Sequence, residues 1–438
     1  IQKNMVNKKK YFYNLYKNIK NKKAVVGVVG VGYVGIQLLL QFKKKNIKTI
    51  GFDRDKIKLE KLIKGISPFS YISDKKIRSL KNQSFYTEKY ENISLCDVII
   101  ICLPTPIKKN TKPDLSAIEN TLKKIKKFIK KGQLIILEST TYPGTTRDII
   151  GNNLKKFKLG EDLFLSYSPE RENPGSAVPF NKVNKITSGY SKNCSILSEL
   201  LYKKIVNSVE VAGSLEEAEM TKLLENIYRS VNIGLVNELK MICLAMKIDI
   251  NKIIKLASTK PFGFSAFYPG PGVGGHCIPI DPYYLYWRAK KFGQEAKFIK
   301  IAGEINIKTT QWTIKNIAKI ISKNKTTKRK KVLILGLAYK KNIEDIRESA
   351  GIKILQSLSK MKFNVDFSDP HVDRNDSLFK KLVGRSKNID INKNIKNYDC
   401  VVLVTDHDAF NYKMIIKFSK ILIDTRNRIY RKDNFFRL

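Results

Sequence analysis

The amino-acid sequence predicts an α/β protein in which two Rossmann-like, doubly wound domains are joined by a central helical domain with one long helix. Three observations support this prediction. A strand, a glycine-rich turn, a helix and a second strand open the chain, a proline-free helical stretch occupies its middle, and a second series of apolar strands follows. In addition, 438 residues exceed what one hydrophobic core usually contains.

The first domain begins with the segment KAVVGVVGVGYVGIQLLLQFKKKNIKTIGFD, residues 23–53. Its apolar run predicts a buried strand, its glycines a tight turn, and the remainder a helix and a second strand. Two further strand-like runs, CDVIIICLP and GQLIILEST, alternate with helical patterns, which is typical of a parallel, doubly wound sheet. We therefore assign residues 23–210 to this domain and residues 1–22 to a basic N-terminal extension.

A long helix is predicted from Leu215 to about Met246, because apolar residues recur at spacings of three and four. We assign residues 211–312 to a central helical domain that contains this helix. The later runs KVLILGLAY, KFNVDFSD, DCVVLVTDH and KILIDTRN predict the strands of a second Rossmann-like domain over residues 313–438.

The formal net charge of +44 is the kind of value that indicates nucleic acid or an anionic membrane as a partner. Lysines, however, are scattered over the whole chain beside abundant Asn and Ile, whereas nucleic-acid-binding charge clusters on one face or in a tail. We interpret the excess as a bias toward A/T-rich codons and expect neither nucleic acid nor a membrane as a partner. A basic, non-catalytic protein that binds nucleotides or nucleic acid stays as the alternative of a different class.

Cysteine and histidine usage argues against a disulfide framework and against a metal site. The chain has three histidines and six widely separated cysteines without a CxxC pair: Cys96, Cys102, Cys194, Cys243, Cys277 and Cys400. The N-terminal stretch is basic and aromatic and has no continuous apolar segment of the kind that a secretion signal needs. These observations predict a cytoplasmic protein.

A dinucleotide fingerprint, GxGxxG, is formed by Gly30, Gly32 and Gly35 between a predicted strand and a predicted helix. Glycines there permit a tight turn and a close approach of the backbone to a pyrophosphate at the helix N-terminus. Asp53, at the end of the next strand, is expected to accept hydrogen bonds from the adenosine ribose. This favours NAD over NADP, although the neighbouring Arg54 weakens the preference. The alternative is that the glycines serve helix packing only.

Hydroxyl side chains follow the next two predicted strands, where a doubly wound sheet places its ligands. Thr105 lies in LPTP, and Ser139 and Thr140 lie in ESTTYPG. We expect them to line the cofactor cleft, although single hydroxyls at such positions are as often turn formers or helix caps.

Two further pairs of residues indicate catalysis. Lys222 and Asn226 lie four apart in the long helix and project from one face, where they can hold a developing oxyanion or simply face solvent. Cys277 follows the glycine-rich stretch FYPGPGVGG, and Asp281 precedes Pro282 at a helix start. There the thiol is expected to have a lowered pKa and to attack an aldehyde bound beside NAD, giving a thiohemiacetal and then a thioester. The alternatives are an inert thiol and a helix-capping aspartate.

These motifs, GVGYVG, SPER, EMTKLLEN, GGHCIPID and GLAYKKNIEDIRES in that order, resemble the UDP-glucose/GDP-mannose dehydrogenase family over nearly the whole chain. The resemblance implies an NAD-binding N-terminal domain and a C-terminal domain that binds the nucleotide of a UDP-sugar substrate. It also implies a homo-oligomer, at least a dimer through the long central helix. The implied activity is two successive NAD-dependent oxidations at sugar C6.

The resemblance also implies roles for individual residues. Cys277 would be the covalent nucleophile, Asp281 would handle protons and water, and Glu170 would assist thioester hydrolysis. The implied cofactor contacts, with Thr105 placing a water or the nicotinamide, are Gly30, Gly32, Val34, Gly35, Asp53, Arg54, Thr105, Thr140 and Arg347. The implied substrate contacts, with the lysine and asparagine of the long helix stabilising oxyanions, are Glu170, Arg171, Lys222, Asn226, Tyr268, Gly274 and Lys340.

Two departures bear on the sugar. In SPERENPG, Pro174 occupies the position of the second glutamate in the PEFLxE motif typical of UDP-glucose dehydrogenases. Pro261 occupies the position of the arginine that those enzymes supply to the substrate of the neighbouring subunit. Both variants resemble the branch that acts on UDP-N-acetylglucosamine for surface polysaccharides, and Arg171 is the candidate contact of the N-acetyl group. UDP-glucose, UDP-N-acetylmannosamine and GDP-mannose stay as alternatives. Single-step hydroxyacid dehydrogenases share the glycine fingerprint and the Lys-x-x-x-Asn pair, but they need neither Cys277 nor a second Rossmann-like domain.

Overall fold

A computed structural model describes residues 2–69, 72–108, 111–171, 179–323, 329–373, 377–429 and 433–438. Contacts between Cα atoms divide the chain into two compact units. The first contains Ile1–Glu225 and Trp287–Gly293, and the second contains Asn226–Tyr286 and Gln294–Leu438. Among the described residues, no helix combines the length and the apolar content that crossing a membrane requires.

The first unit is built from alternating strands and helices, as the sequence predicts. Its elements in chain order are α1 (Gln2–Lys20), β1 (Val26–Val29), α2 (Tyr33–Lys44), β2 (Thr49–Phe52), α3 (Lys56–Lys64), α4 (Asp74–Arg78), β3 (Ser84–Thr87), β4 (Val98–Ile101), α5 (Ser116–Ile125), β5 (Leu134–Leu137), β6 (Phe164–Tyr167), β7 (Lys185–Gly189), α6 (Lys192–Tyr202), β8 (Val209–Val211) and the first part of α7 (Leu215–Ala245).

The sheet of the first unit has the strand order β3-β2-β1-β4-β5-β6-β7-β8. Strands β1 to β6 run parallel, with Val26 of β1 opposite both Thr49 and Val98, and β7 pairs antiparallel with β6. The strand order reverses its direction between β1 and β4. In doubly wound sheets the ligand binds beyond the carboxyl ends of the strands at that point.

Helix α1 is part of this unit's hydrophobic core. Its side chains Leu15 and Ile19 are buried in the same cluster as Val26 of β1 and Phe42 of α2. The segment predicted as an N-terminal extension is therefore a helix over most of its length, and the second half of this helix packs on the core because its apolar residues recur on one side.

The second unit contains the long helices and a smaller sheet. Its elements are the remainder of α7, then α8 (Ile250–Ala257), α9 (Asp281–Lys290, whose last turn belongs to the first unit), α10 (Lys297–Ser322), β9 (Lys331–Leu335), α11 (Ala350–Lys360), β10 (Asn364–Ser368), α12 (Ser377–Val383), α13 (Ile391–Asn394), β11 (Cys400–Leu403), α14 (Tyr412–Phe418), β12 (Leu422–Asp424) and β13 (Phe435–Arg437).

The five strands of this sheet are parallel in the order β10-β9-β11-β12-β13. This confirms the second Rossmann-like domain, and α7 confirms the predicted long helix to within about one residue. Two domains with mostly parallel sheets and a long central helix are the fold class that the sequence predicts.

A buried polar network fixes α7 against α10. Asn306 Nδ2 donates to the carbonyl oxygen of Ser230 over 3.0 Å, and Asn237 Nδ2 donates to Asn306 Oδ1 over 3.1 Å. All three residues are almost completely buried. Because buried polar groups without partners are costly, this network permits one register of the two helices and disfavours others.

Candidate active site

The glycine turn after β1 leaves open space where a dinucleotide pyrophosphate is expected. Gly30 has φ +95°, and a Cβ on Gly35 would lie 2.1 Å from the Gly30 carbonyl oxygen, so both positions require glycine. A Cβ on Gly32, by contrast, would meet no atom within 4 Å. Since Gly32 immediately precedes α2, an anion placed there faces the positive end of the helix. The residues present therefore fit a dinucleotide cofactor.

Asp53 is held next to this turn. Its Oδ2 accepts a hydrogen bond from the backbone N–H of Val31 over 3.0 Å and forms an ion pair with Lys58 Nζ over 2.8 Å. The neighbouring Arg54 is exposed. Lys58 is not among the predicted residues. The signal for it is its place in the first turn of α3, five residues after the strand-ending aspartate.

The predicted hydroxyl groups connect the loops that follow β4 and β5. Thr105 Oγ1 donates to the carbonyl oxygen of Thr140 over 2.7 Å, and Ser139 Oγ donates to the carbonyl oxygen of Leu103 over the same distance. Val34 in α2 is half-buried against the core. The structure thus brings together Thr105 and Thr140, which are far apart in the sequence.

Glu219, which is not among the predicted residues, ties helix α7 to the loop after β5. Its carboxylate accepts hydrogen bonds from the backbone N–H groups of Gly144, over 2.5 Å, and Thr146, over 2.8 Å, and from the Thr146 hydroxyl. Burial raises its pKa to about 7. Lys222, one turn further along α7, is also buried.

Glu170 lies after β6 against two basic residues. Its Oε2 forms an ion pair with Lys185 Nζ over 2.9 Å, and its Oε1 accepts the backbone N–H of Arg171. The Arg171 guanidinium is directed to Glu225 over 2.7 Å and to the carbonyl oxygen of Asn184 over 2.6 Å. Pro174, on which part of the sugar prediction rests, lies outside the described residues.

Cys277, in the second unit, is exposed, whereas Cys96 and Cys194 of the first unit and Cys243 and Cys400 of the second are buried. The two glycines before it are needed because their loop packs directly on Tyr339. A Cβ on Gly274 would lie 2.6 Å from Tyr339 Cβ, and a Cβ on Gly275, whose φ is +85°, would lie 2.8 Å from the tyrosine ring. The Gly275 N–H also donates to the carbonyl oxygen of Arg347 over 2.8 Å. The loop is therefore fixed to the segment that follows β9.

Asn226 and Asp281 form a direct pair in the second unit. Asn226 Nδ2 donates to Asp281 Oδ2 over 2.5 Å, Arg229 donates to Asn226 Oδ1, and both members of the pair are buried. Burial and the charge of Arg229 lower the pKa of Lys340. Arg229 is not among the predicted residues. Asp281 is the first residue of α9, and its carboxylate accepts a hydrogen bond from a side chain of α7. A residue that only caps its own helix does not need such a contact.

His276, directly before the cysteine, adds no positive charge to its surroundings near neutral pH. Burial and the charge of Arg347 lower the pKa of His276 to about 4, so its imidazole is neutral near pH 7. Arg347 itself forms an ion pair with Asp345 over 2.6 Å. Tyr268 is largely exposed. In the part of the chain that the structure describes, no group of His, Cys, Asp and Glu has the arrangement of a metal site.

A cavity of about 370 Å³ lies within the second unit beside the end of β12. Its walls include Lys240, Pro269, Arg426, Asn427 and Arg437. Burial lowers the pKa of Arg426 and brings the pKa of Lys240 to about 7. These residues are not among the predicted ones. The available signal is the run DTRN, which follows the strand β12 at the carboxyl edge of the sheet.

Lys240 also holds the backbone that leads to the cysteine loop. Its Nζ donates to the carbonyl oxygen of Gly270 over 2.8 Å, and the N–H of the same glycine donates to Asn237 Oδ1 over 3.0 Å. Both side chains project from α7, three residues apart. One residue of the loop is thus fixed through both its backbone groups.

Three family models match consecutive parts of the chain. They are the NAD binding domain of the UDP-glucose/GDP-mannose dehydrogenase family over residues 24–206, its central domain over residues 216–308 and its UDP binding domain over residues 333–431. All the site residues predicted from the sequence lie within these three ranges.

Individual relatives extend over almost the whole chain. UDP-N-acetyl-D-glucosamine 6-dehydrogenase of Pseudomonas aeruginosa is 33% identical over 92% of this chain and 96% of that protein. UDP-N-acetyl-D-mannosamine dehydrogenase of Pyrococcus horikoshii is 31% identical over 92% and 96% of the two chains. The solved structure of UDP-D-ManNAc dehydrogenase from Pyrococcus horikoshii matches with a TM-score of 0.80 and 29% identity, covering 94% and 98%. These similarities do not select one of the two sugars.

Proposed function

Since the chain belongs to the UDP-glucose/GDP-mannose dehydrogenase family, we propose that it oxidises the C6 hydroxyl of UDP-N-acetyl-D-glucosamine to a carboxylate. The family and its NAD-dependent nucleotide-sugar 6-dehydrogenase chemistry follow from the comparisons, whereas the sugar and the roles of the residues are proposals. The observation that carries the mechanism is the exposed Cys277, presented by a glycine loop that is packed on Tyr339.

The cofactor is NAD, which binds the N-terminal domain of the family. When bound, it would supply the hydride acceptor for two successive oxidations at C6. The open backbone at Gly32 would receive the pyrophosphate at the start of α2, and Asp53 would accept hydrogen bonds from the adenosine ribose. Thr105 and Thr140, joined by their hydrogen bond, would shape the nicotinamide side of the cleft.

Cys277 would form the covalent intermediate. Its sulfur bonds to C6 of the aldehyde while the thiol proton passes to the carbonyl oxygen, and the resulting thiohemiacetal is oxidised to a thioester. Lys222 and Asn226 would stabilise the negative charge that develops on the C6 oxygen. The carboxamide of Asn226 has two N–H donors, and its bond to Asp281 uses one of them, so the other is available for that oxygen.

Hydrolysis then releases the product. The oxygen of a water molecule bonds to the thioester carbon, the C–S bond breaks, and its electron pair returns to the Cys277 sulfur. Glu170 would take the proton of the attacking water, and Asp281 would assist with water and proton transfer.

The cavity beside β12 is our candidate for the nucleotide end of the substrate. It lies in the unit that contains the matched UDP binding domain, and it brings Arg426 and Lys240 together. Both side chains would attract the anionic phosphates, because the electrostatic attraction between opposite charges is stronger away from solvent than at an exposed surface. Lys340 is the further substrate contact proposed in this unit.

UDP-N-acetylglucosamine is preferred over the other sugar nucleotides for two reasons. The SPERENPG variant and Pro261 each resemble the branch that acts on this sugar, and the Pseudomonas aeruginosa relative is a protein of that name. Arg171 is the proposed contact of the N-acetyl group, since its bonds to Glu225 and Asn184 use only some of its five N–H donors.

We propose that a second copy of the chain covers the exposed face of α7. The side chains of this face, each more than one-third exposed, recur at spacings of seven, four, three and four: Tyr228, Leu235, Leu239 and Ile242 in α7, and Met246 directly after it. An apolar stripe of this length on one helix face is typical of a homodimer contact. We also propose a cytoplasmic location, because the Cys277 chemistry needs a reduced thiol and the cytosol maintains one.

The test is NADH production by the purified protein with UDP-N-acetylglucosamine, UDP-N-acetylmannosamine, UDP-glucose and GDP-mannose in parallel. About two NADH per UDP-N-acetylglucosamine consumed, with little from the other three, supports both the sugar and the two-step reaction. A preference for another sugar refutes the substrate proposal and leaves the mechanism standing. No NADH from any of the four, with saturating NAD, refutes the mechanism as well.

A further inference from the structure

A buried lysine lies directly behind Glu170. Lys185, the first residue of β7, is 3% exposed, and its Nζ lies 2.9 Å from Glu170 Oε2 and 3.1 Å from Glu138 Oε1. Glu138 follows β5 and is completely enclosed, whereas Glu170 retains 13% exposure. The ammonium therefore bridges an enclosed carboxylate and a carboxylate that reaches solvent.

Described groups from several elements surround this lysine and its two carboxylates. The Tyr202 hydroxyl of α6 donates to Glu138 Oε1 over 2.5 Å, and the tyrosine ring lies 5.1 Å from the ammonium. The Cys102 thiol, after β4, lies 4.0 Å from Glu138 Oε2. On the opposite side, the backbone N–H of Arg171 donates to Glu170 Oε1. One cation thus serves two carboxylates within a desolvated cluster.

The sharing of one charge has a physical consequence. Burial works against the charged form of Lys185, but the two carboxylates outweigh it and raise the lysine pKa, so the ammonium persists. Burial raises the pKa of Glu138. Because the two carboxylates share one ammonium, each reduces the electrostatic stabilisation that the lysine gives to the charged form of the other. The proton affinity of Glu170 consequently depends on both neighbours, with opposite signs.

We propose that Lys185 is a positioning residue which, balanced by Glu138, fixes the Glu170 carboxylate and sets its strength as the base for thioester hydrolysis. This rests on the proposed function, in which Glu170 takes the proton of the attacking water. Lys185 alone would make Glu170 too weak a base, and Glu138 returns part of that basicity. The cluster thus acts on hydrolysis through Glu170, in addition to packing at the ends of β5 and β6.

The test is the pH dependence of hydrolysis of the Cys277 thioester in a single turnover, followed by acid quenching and intact mass. Lys185→Met leaves Glu170 beside a like charge, so the acid limb is expected to move to higher pH. Glu138→Gln leaves the lysine to Glu170 alone, so the limb is expected to move to lower pH. Each shift is expected to be about one pH unit, a roughly tenfold change in rate at a fixed pH on that limb.

Two further variants protect the test against misfolding. The double variant Lys185→Met with Glu138→Gln removes the two most buried charges and leaves only the Glu170 carboxylate, which reaches solvent, so the protein is expected to fold. Its limb is expected between those of the wild type and Lys185→Met. If Lys185→Met does not fold, the test compares the pH of the acid limb in the other three proteins. The expected order, from low to high pH, is Glu138→Gln, wild type and the double variant. Lys182→Met, the same substitution at an exposed lysine nearby, is the matched control and is expected to follow the wild type.

The outcomes separate the two proposals. A wild type that accumulates no thioester and makes no NADH refutes the proposed function. A wild type that does both, with variants whose limbs stay in place or move in the same direction, refutes the role of Lys185 alone. Movement in opposite directions supports it, since a merely structural loss slows hydrolysis at every pH.

Discussion

Lys240 offers a test of how strongly the second unit desolvates a charge beside its cavity. The side chain is 5% exposed, its Nζ donates to the carbonyl oxygen of Gly270, and it lies 5.1 Å from the Trp312 ring. Burial first, and the charge of Arg426 second, lower its pKa from 10.5 to about 7. The unfolded chain therefore binds one more proton than the folded chain between about pH 7 and pH 10.5.

The sign and size of the effect follow from this difference. Where the unfolded state binds more protons, stability rises with pH, so the penalty of the buried charge is largest below the folded pKa and fades as pH approaches the unfolded value. Integrating over the window from pH 7 to pH 9 gives about 2 kcal/mol of additional stability. For a unit of this size, that corresponds to roughly 4 to 8 °C in melting temperature.

The assay compares the thermal unfolding of wild type and Lys240→Met at pH 7 and pH 9. Methionine keeps an apolar stem against Trp312 and removes the titrating group, so the variant is expected to lack the gain of about 2 kcal/mol between the two pH values. Lys252→Met, at an exposed lysine in α8, is the control and is expected to behave as the wild type. Equal pH dependence in wild type and Lys240→Met refutes the reasoning.

Four other substitutions test the proposed site. Gly32→Ala is expected to fold normally, because its Cβ meets no atom within 4 Å, yet to lose about tenfold or more in NAD affinity by fluorescence titration. Gly35→Ala places a Cβ 2.1 Å from the Gly30 oxygen, so a melting temperature equal to that of the wild type would count against this turn geometry. Cys277→Ser is expected to bind NAD as the wild type does but to lose at least about 10³-fold in turnover, and full turnover excludes the covalent role. Leu239→Asp in the exposed stripe of α7 is expected to yield monomers in light scattering, whereas an unchanged mass argues against this dimer face.

Local sequence patterns predict much of the fold. The strands β1, β4, β5, β9 and β11 are continuous apolar runs, because strands covered by helices on both faces are buried on both sides. The end of α7 is predicted to within about one residue, since its period is regular and uninterrupted. Strands β3, β8 and β13 are short and only partly buried, so they carry no comparable pattern and are not predicted.

The candidate site divides in the same way. The glycine turn, Asp53, and the loop that presents Cys277 are predicted because each is a contiguous segment whose backbone requirements select particular residues. Glu219 and Arg426 escape prediction. Each is a single polar residue within an ordinary helix or loop pattern. The neighbouring letters show neither that Glu219 is buried nor that Arg426 meets Lys240 at a cavity.

The sequence by itself determined the fold class, the family and the motifs on which the proposed chemistry rests, since those depend on local period and on short backbone segments. Only the tertiary structure decided which distant side chains share a charge. Lys185 meets Glu138 and Glu170 because strand order places β5, β6 and β7 side by side. Burial and charge pairing are properties of that arrangement in space, and the pKa values of Lys185 and Lys240 follow from it and from no local pattern of letters.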